Sequence, residues 1–143
     1  MEPLRRLSDA DKARLKRLLS RLLAQREEIR FACLLGSFLD RRDIRDLDLA
    51  VCVDFTKLPR AGVLEYELGL SAWLEPSVGL PVDGKVLNGA PLSFRYAATG
   101  GIPLLVRDEE EWTSFREQTW RDYFDFAPLA NAMLADLLSP DSR

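Results

Sequence analysis

Two short apolar runs separated by a polar connection constrain the fold of this chain more than any other feature. The first run, Phe31–Leu35, stops at Gly36, and the second, Leu47–Val53, contains Asp48. Each run is too short for a helix and is typical of a buried β-strand. Residues two apart on a strand point to the same face, so Asp46 and Asp48 are expected side by side. The pattern therefore predicts two like charges at the mouth of a buried strand.

The order of the remaining elements indicates an α+β fold, a small mixed β-sheet packed against helices. The length of 143 residues suits a single domain, with an N-terminal helix over 1–29, a core over 30–106 and a C-terminal helical segment over 107–143. In chain order, periodicity and turn residues predict a helix capped by Ser8 or Asp9 whose apolar period extends to Ile29, the two strands, a helix from about Arg60 to Glu75 that Pro76–Gly79 breaks, a strand over Leu80–Leu87, a short helix over Pro91–Ala98, a strand over Ile102–Val106 and a last helix opened by Asp108.

The composition excludes several kinds of protein. Apolar residues make up 47% of the chain and charged residues 30%, which rules out wholesale disorder. There is no histidine, so serine–histidine and cysteine–histidine hydrolases and histidine-ligated metals are excluded. Cys33 and Cys52 are too few for a disulfide scaffold and are expected to be small core residues. Any acid, base or metal ligand must therefore come from Asp, Glu, Lys, Arg or Tyr.

Charge and hydropathy give expectations about partners and location. The net charge of −3 argues against a dedicated nucleic-acid binder, so no direct contact with nucleic acid is expected. No apolar run approaches the roughly 18 residues that a membrane helix needs, and no stretch resembling a signal peptide follows Met1. The sequence predicts a cytoplasmic protein that makes no membrane contact.

A third carboxylate, Asp83, interrupts an apolar strand in the same way as Asp48. Carboxylates on one strand face repel each other, and each is costly to keep ionised among apolar side chains. A divalent cation relieves the repulsion, and oxygen ligands suit Mg²⁺ or Mn²⁺. If the two strands are neighbours, Asp46, Asp48 and Asp83 can cluster and bind two ions for in-line displacement at phosphorus.

Each of these carboxylates also has a purely structural interpretation. One can cap a loop, one can pair with a nearby arginine and one can belong to a turn. The residues concerned are Asp46 for the loop, Asp48 with Arg45 or Arg42 for the pair, and Asp83-Gly84 for the turn. These interpretations require three separate coincidences, whereas one site explains all three positions.

The order of the motifs resembles the nucleotidyltransferase superfamily of the DNA polymerase β type, most closely its minimal members, the MNT proteins. It consists of a strand ending in Gly36-Ser37, a connection, Asp46-Leu47-Asp48 in a second strand and Asp83 in a later one. Segments 86–96, 104–108 and 123–128 are similar to the MNT half of HEPN–MNT toxin–antitoxin pairs. The resemblance covers roughly residues 30–128 and implies the nucleotidyltransferase palm fold.

The resemblance implies a role for each motif residue. Gly36 and Ser37 would hold the terminal phosphates of the nucleotide, and Asp46 and Asp48 would bind the metal ions that carry the triphosphate. Asp83 would help the second ion and activate the incoming hydroxyl. The implied cofactor is Mg²⁺ (or Mn²⁺), the implied substrate is ATP, and the implied partner is a HEPN ribonuclease toxin that is silenced by transfer of AMP to a tyrosine.

The connection departs from the family pattern. Eight residues separate Ser37 from Asp46, fewer than in the family, and Arg45 stands where a small serine is usual. A shorter loop can move Ser37 relative to the metal ions, or its arginines can contact the triphosphate themselves. Arg45 is therefore a candidate nucleotide-binding residue. Arg95, on the short predicted helix, either reaches the nucleotide as well or pairs on the helix surface.

Three functions remain open on this basis. The first is a Mg²⁺-dependent transfer of AMP to a HEPN toxin. The second is a catalytically weak protein of the same fold that neutralises its toxin by binding alone, which the short connection favours and the three retained carboxylates disfavour. The third is transfer to a small molecule, which usually needs an added domain to hold the acceptor.

Overall fold

The computed structural model describes residues 5–36, 38, 43–58 and 62–138. Its elements follow the predicted order, with two very short strands and a single 3₁₀ turn added. In chain order they are β1 (Arg5–Arg6), α1 (Asp9–Ala24), β2 (Ile29–Leu35), β3 (Asp43–Ile44), β4 (Leu47–Val53), the 3₁₀ turn (Phe55–Lys57), α2 (Val63–Val78), β5 (Val82–Val86), α3 (Leu92–Thr99), β6 (Ile102–Val106) and α4 (Glu109–Leu138).

Four of the strands form the sheet that carries the site. Their order across the sheet is β5-β4-β2-β6. Strand β2 runs antiparallel to both β4 and β6, whereas β4 and β5 are parallel. Parallel neighbours need a crossover connection, which helix α2 supplies. This mixed sheet with its packed helices confirms the predicted α+β fold, and it makes β4 and β5 neighbours.

Each face of the sheet packs against different helices. On one face, Val51 of β4 lies in a buried cluster with Leu19 of α1 and Leu70 of α2. On the other face Phe31 packs against Trp112 of α4, with 5.1 Å between the ring centroids. A strand that is covered on both faces needs apolar residues at nearly every position. This explains why the sequence of β2 and β4 is a continuous apolar run rather than an alternating one.

The cysteines belong to the second of these cores. Cys33 is fully buried and Cys52 is partly buried beside it. Burial raises the pKa of the Cys33 thiol to about 12 and is the largest cause of a pKa of about 11 at Cys52. Both thiols therefore stay protonated at neutral pH, as small core residues do.

Helix α1 begins where the sequence predicts and ends earlier. Ser8 is its N-cap, since its hydroxyl accepts from the Asp11 amide while the Asp11 carboxylate accepts from the Ser8 amide. The prediction that the helical period extends to Ile29 is wrong, because Ile29 begins β2. The guanidinium of Arg107 donates to the Ala24 carbonyl and so satisfies an acceptor at the end of the helix.

Prolines do not end the helices here. Helix α2 was expected to break at Pro76, but it continues to Val78 and ends at Gly79, which has φ +77°. Pro76 lies in the last turn and removes one helical hydrogen bond, whereas Gly79 adopts the left-handed conformation that terminates a helix. Helix α4 likewise continues past Pro128. In the described part of the chain, no helix combines the length and the apolar character that crossing a membrane requires.

Part of the predicted polar connection 36–45 is a strand. Arg5 pairs with Ile44 and Arg6 with Asp43, so β1 and β3 form a separate two-stranded sheet. The sequence predicts only a polar connection between the two apolar runs, because strands of two residues leave no periodic signal. The side chain of Ile44 is fully buried in the main core.

Candidate active site

Strands β4 and β5 bring two of the predicted carboxylates together. Asp48 and Asp83 are direct partners in the parallel register of these strands, so both side chains lie on the same face of the sheet. Asp46 lies just before the first residue of β4 and is exposed. Asp83 lies within a strand and not in a turn, so its turn interpretation does not apply. The sheet order thus makes β4 and β5 neighbours and places Asp48 beside Asp83, with Asp46 at the start of β4.

The surroundings of Asp48 disfavour its ionised form. Its side chain is partly buried, and this burial raises its pKa above the ordinary value for an aspartate. The charges of Asp46 and Asp83 raise the pKa of Asp48 further. Desolvation and like charges together make the ionised form of Asp48 unfavourable in the free protein. A cation or a hydrogen-bond donor placed among these groups would relieve that cost.

Gly36 closes the site from the end of β2. It has φ +70°, in the left-handed region that glycine adopts most readily. A Cβ at this position would collide with a carboxylate oxygen of Asp48, which faces it across the end of the sheet. Gly36 is therefore needed for its backbone conformation and also for the space that Asp48 occupies. Ser37, predicted to hold phosphate with it, lies outside the described residues, as do Arg41 and Arg42.

A cavity of about 740 Å³ opens beside the carboxylates. Asp48, Asp83 and Gly36 contribute to its polar lining, whereas Phe94 and Pro91 are part of an apolar wall. Concave sites with a mainly apolar lining and a few convergent polar groups are typical of small-ligand binding. The cavity has the volume and the mixed lining that suit a ligand with one charged and one apolar part.

Lys85 adds a positive charge to the same face. Its ammonium nitrogen is 3.6 Å from Oδ1 of Asp83, and both side chains are about half exposed. Asp83 and Lys85 also line a smaller cavity of about 280 Å³ together with Asp46 and helix α2. Asp83 and Lys85 therefore line two adjoining cavities.

The donor set fits Mg²⁺ only if other ligands complete the coordination. Among the described residues, no three acidic side chains stand close enough together to hold a metal ion by themselves. Mg²⁺ in phosphate-processing sites usually takes one or two carboxylates and fills its remaining positions with waters and substrate phosphates. Asp48, Asp83 and Asp46 offer oxygen ligands of that kind, so a Mg²⁺ shared with a phosphate-bearing ligand fits these residues.

The two predicted arginines lie in different places. Arg45 is exposed and directly precedes Asp46. Arg95 lies on α3, where its Nε donates to the Ala90 carbonyl at 2.9 Å and one Nη is 3.7 Å from a carboxylate oxygen of Asp122. It lines a separate cavity of about 250 Å³ that does not include the carboxylates. The structure does not bring Arg95 together with Asp48 and Asp83.

Phe94 and Glu67 are among the residues of the large cavity that sequence reasoning missed. Phe94 stands next to Arg95 but on a different side of α3, and Glu67 faces β5 from α2. The helical phase contained a signal for Phe94, because it shares a face with Ala97 three residues on, and that face lines the cavity. For Glu67 the signal was weaker. It is one of three polar residues at intervals of four in a helix that is otherwise mostly apolar.

Several solved structures of toxin–antitoxin complexes contain a chain with the same fold. A chain in the structure of the tri-AMPylated Shewanella oneidensis HEPN toxin in complex with MNT antitoxin has a TM-score of 0.68 and 18% identity, over 90% of this chain and 99% of that one. A chain of the MntA–HepT toxin–antitoxin structure gives 0.67 and 18%, over 89% and 99%. A toxin–antitoxin structure with AMP-PNP gives 0.67 and 19%, over 87% and 98%.

No family model and no curated protein sequence matches this chain. The structural likeness confirms the predicted resemblance at the level of the fold, along nearly the whole length of the chains compared.

Proposed function

We propose that this chain, which shares its fold with chains of those toxin–antitoxin complexes, is a Mg²⁺-dependent nucleotidyltransferase. In this proposal it acts as an antitoxin by transferring AMP from ATP to a tyrosine of a HEPN-type toxin. The observation that carries the proposal is the register of β4 and β5, which pairs Asp48 with Asp83 beside a cavity, with Gly36 packed against Asp48.

The cavity suits a nucleotide because its lining changes from charged to apolar. We assign the triphosphate to the side of Gly36, Asp48 and Lys85, together with Ser37, and the base to the wall that contains Phe94. Aromatic side chains stack on every kind of base, so Phe94 can pack against the base of a nucleotide. Arg45 precedes Asp46 and remains a candidate for contact with phosphate. The nucleotide-binding role of Arg95 remains a prediction.

Phosphoryl and nucleotidyl transfers need positioning and charge stabilisation more than covalent chemistry from the protein. Bound Mg²⁺, held by Asp46, Asp48 and Asp83, would neutralise charge on the triphosphate. Asp83 accepts the proton of the acceptor hydroxyl in our proposal. The hydroxyl oxygen then forms a bond to the α-phosphorus, and the bond from that phosphorus to the pyrophosphate oxygen breaks. A chain without histidine can perform this step, because carboxylates would hold the metal ions and accept the proton.

A protein acceptor agrees with the surface of helix α4. Its C-terminal half carries large apolar side chains that are each more than half exposed in the isolated chain. They are Phe124, Phe126, Leu129, Met133, Leu134, Leu137 and Leu138. Exposed apolar groups of this number are unusual on a monomer and are typical of a surface that a protein partner covers. A solved structure that contains a chain of the same fold is a complex of a HEPN toxin with its MNT antitoxin.

The test of this proposal uses ATP labelled at the α-phosphate, Mg²⁺ and a HEPN-type protein encoded beside this chain. We expect label on the HEPN-type protein with the wild type and at least a 10²-fold lower rate with Asp48→Asn, since one misplaced or missing catalytic group costs about that factor. Asp54→Asn is the matched control. It makes the same chemical change at the opposite end of β4, where Asp54 caps the 3₁₀ turn.

Absence of label with the wild type would contradict the enzymatic proposal. If the two proteins still co-eluted, a protein that neutralises its toxin by contact alone would be the better account. Equal labelling by wild type and Asp48→Asn would contradict the assignment of the site.

A further inference from the structure

Strand β5 is the edge strand on which Asp83 depends, and its sequence is a weak strand former. It has five residues, Val-Asp-Gly-Lys-Val, and it pairs with β4 on one side only. Asp and Gly are depleted in strands, and a glycine in the interior of a strand weakens it. Something besides the ladder to β4 must therefore fix this strand in place.

Helix α2 supplies a second row of hydrogen bonds to β5. The backbone amides of Val82, Gly84 and Val86 alternate with those that face β4 and so point to the open side of the strand. The three amides donate to three acceptors on α2. They are Oε1 of Glu75 at 3.2 Å from Val82 N, Oγ of Ser71 at 3.0 Å from Gly84 N, and Oε2 of Glu67 at 2.7 Å from Val86 N. We call Glu67, Ser71 and Glu75 the edge clamp.

The spacing of the edge clamp matches the spacing of the strand. Four residues of an α-helix advance about 6 Å along the axis, and two residues of a strand advance about 6.6 Å. Helix residues at intervals of four thus meet strand residues at intervals of two, with α2 antiparallel to β5. Because only every second amide faces outward, a shift of β5 by one residue would break all three bonds.

Gly84 lets the helix come this close. A Cβ at Gly84 would lie 3.3 Å from Oγ of Ser71 and 3.6 Å from a methyl carbon of Leu70. The first of these distances is tight, so a Cβ at this position would displace the Ser71 hydroxyl from its place beside the strand. The glycine that weakens β5 as a strand is therefore the residue that allows the central bond of the edge clamp.

We propose that Glu67, Ser71 and Glu75 are positioning residues that hold β5 in the register in which Asp83 faces Asp48. This inference rests on the proposed function for its catalytic consequence, but the register itself is independent of it. A slip by one residue turns Asp83 to the buried face of the sheet and brings an apolar residue or glycine to the site. The edge clamp also occupies donors that an exposed edge would offer to other strands.

The experiment removes the edge clamp and follows both the register and the reaction. The test variant is the triple change Glu67→Ala, Ser71→Ala and Glu75→Ala, and the mild variant is Ser71→Ala alone. Glu65→Ala and Ser77→Ala are matched controls, since they make the same chemical changes at exposed positions of α2. Glu67→Gln with Glu75→Gln retains an acceptor oxygen at each end and should restore the wild-type behaviour.

The first readout is NMR of the free protein and does not depend on activity. Hydrogen exchange at Val82, Gly84 and Val86 should be faster by roughly 2- to 12-fold for each bond lost, which corresponds to a net hydrogen bond of about 0.5–1.5 kcal/mol. Cross-strand nuclear Overhauser contacts between the backbones of residues 48 and 83 should weaken in the triple variant. They should persist in both controls. Unchanged exchange at these amides in Ser71→Ala and in the triple variant would overturn the inference.

The second readout is the transfer reaction. We expect kcat to fall by about 10- to 100-fold in the triple variant, because a displacement of a catalytic group by about 1 Å costs up to 10²-fold. KM for ATP should change much less. In an Asp83→Asn background the same triple change should have no further effect on kcat. A further loss of kcat in that background, or faster amide exchange with an unchanged kcat, would overturn the positioning role. If the wild type transfers nothing, the proposed function fails, whereas loss of the 48–83 contacts still supports the register inference.

Discussion

Replacing Gly36 by alanine tests how closely the backbone at the end of β2 approaches the carboxylate of Asp48. Alanine at φ +70° costs about 1–2 kcal/mol, because a Cβ in the left-handed region approaches the following carbonyl. The new Cβ also meets the carboxylate of Asp48, which must rotate away from its preferred geometry. An off-rotamer side chain costs about 0.5–1.5 kcal/mol. The free energy of unfolding should therefore fall by about 1.5–3.5 kcal/mol in total.

Gly89 provides the matched control for this change. It has φ +73°, close to that of Gly36, but apart from its chain neighbours nothing lies within 4 Å of the position that its Cβ would take. Gly89→Ala should therefore carry only the backbone term of about 1–2 kcal/mol. Urea denaturation of both variants, at equal m-values, measures the difference.

A double-mutant cycle isolates the contact with Asp48. In an Asp48→Ala background the carboxylate is absent, so Gly36→Ala should lose only the backbone term there. The coupling energy should be about 0.5–1.5 kcal/mol, the cost of moving the carboxylate. Equal losses for Gly36→Ala and Gly89→Ala, with no coupling to Asp48, would refute the close approach of Gly36 to the carboxylate.

Three further perturbations have definite expected outcomes. Asp48→Asn should raise the free energy of unfolding in metal-free buffer at neutral pH, because burial and then the neighbouring carboxylates raise the pKa of Asp48 and make its charge unfavourable; a lower denaturation midpoint would contradict this. Burial raises the pKa of Glu28, but hydrogen bonds from Arg26 and Tyr66 outweigh it and bring that pKa below its usual value. The wild type should therefore have a higher free energy of unfolding than Glu28→Gln at pH 6. This difference should shrink as the pH falls through the pKa of Glu28 in the folded protein, and a difference that grows on acidification would contradict the prediction. Arg107→Lys should lower the free energy of unfolding by about 1–3 kcal/mol, because lysine cannot reproduce the guanidinium that donates to three backbone carbonyls. Urea denaturation measures this loss, and a loss within experimental error would show that these bonds contribute nothing.

The carboxylate pair could be foreseen from sequence because it breaks a strong local rule. A charged residue inside an apolar strand is costly, so Asp48 and Asp83 each stood out within short runs of five to seven residues. What the local pattern does not contain is which strands are neighbours. The parallel pairing of β4 and β5 depends on the crossover through α2, which is a property of the whole chain.

Other features could not be predicted from the sequence, for physical reasons. The face of a short helix depends on its exact phase, so Arg95 was selected by its charge, whereas its neighbour Phe94 lines the cavity. The edge clamp consists of hydrogen bonds between α2 and β5, and the residue spacing within one element does not indicate which other element it pairs with. Helix ends at Pro76 and Ile29 were misjudged because a proline in the last turn, or a turn before a strand, disturbs local periodicity very little.

The most direct test of the proposed AMP transfer is the intact mass of a HEPN-type protein encoded beside this chain. It would be purified after incubation with ATP, Mg²⁺ and either the wild type or Asp48→Asn. We expect its mass to rise by one or more AMP units with the wild type and the added mass to map to tyrosine, with no such increase for Asp48→Asn. An unmodified HEPN-type protein that nevertheless stays bound to the wild type would contradict the claim that these carboxylates form a nucleotidyl-transfer site.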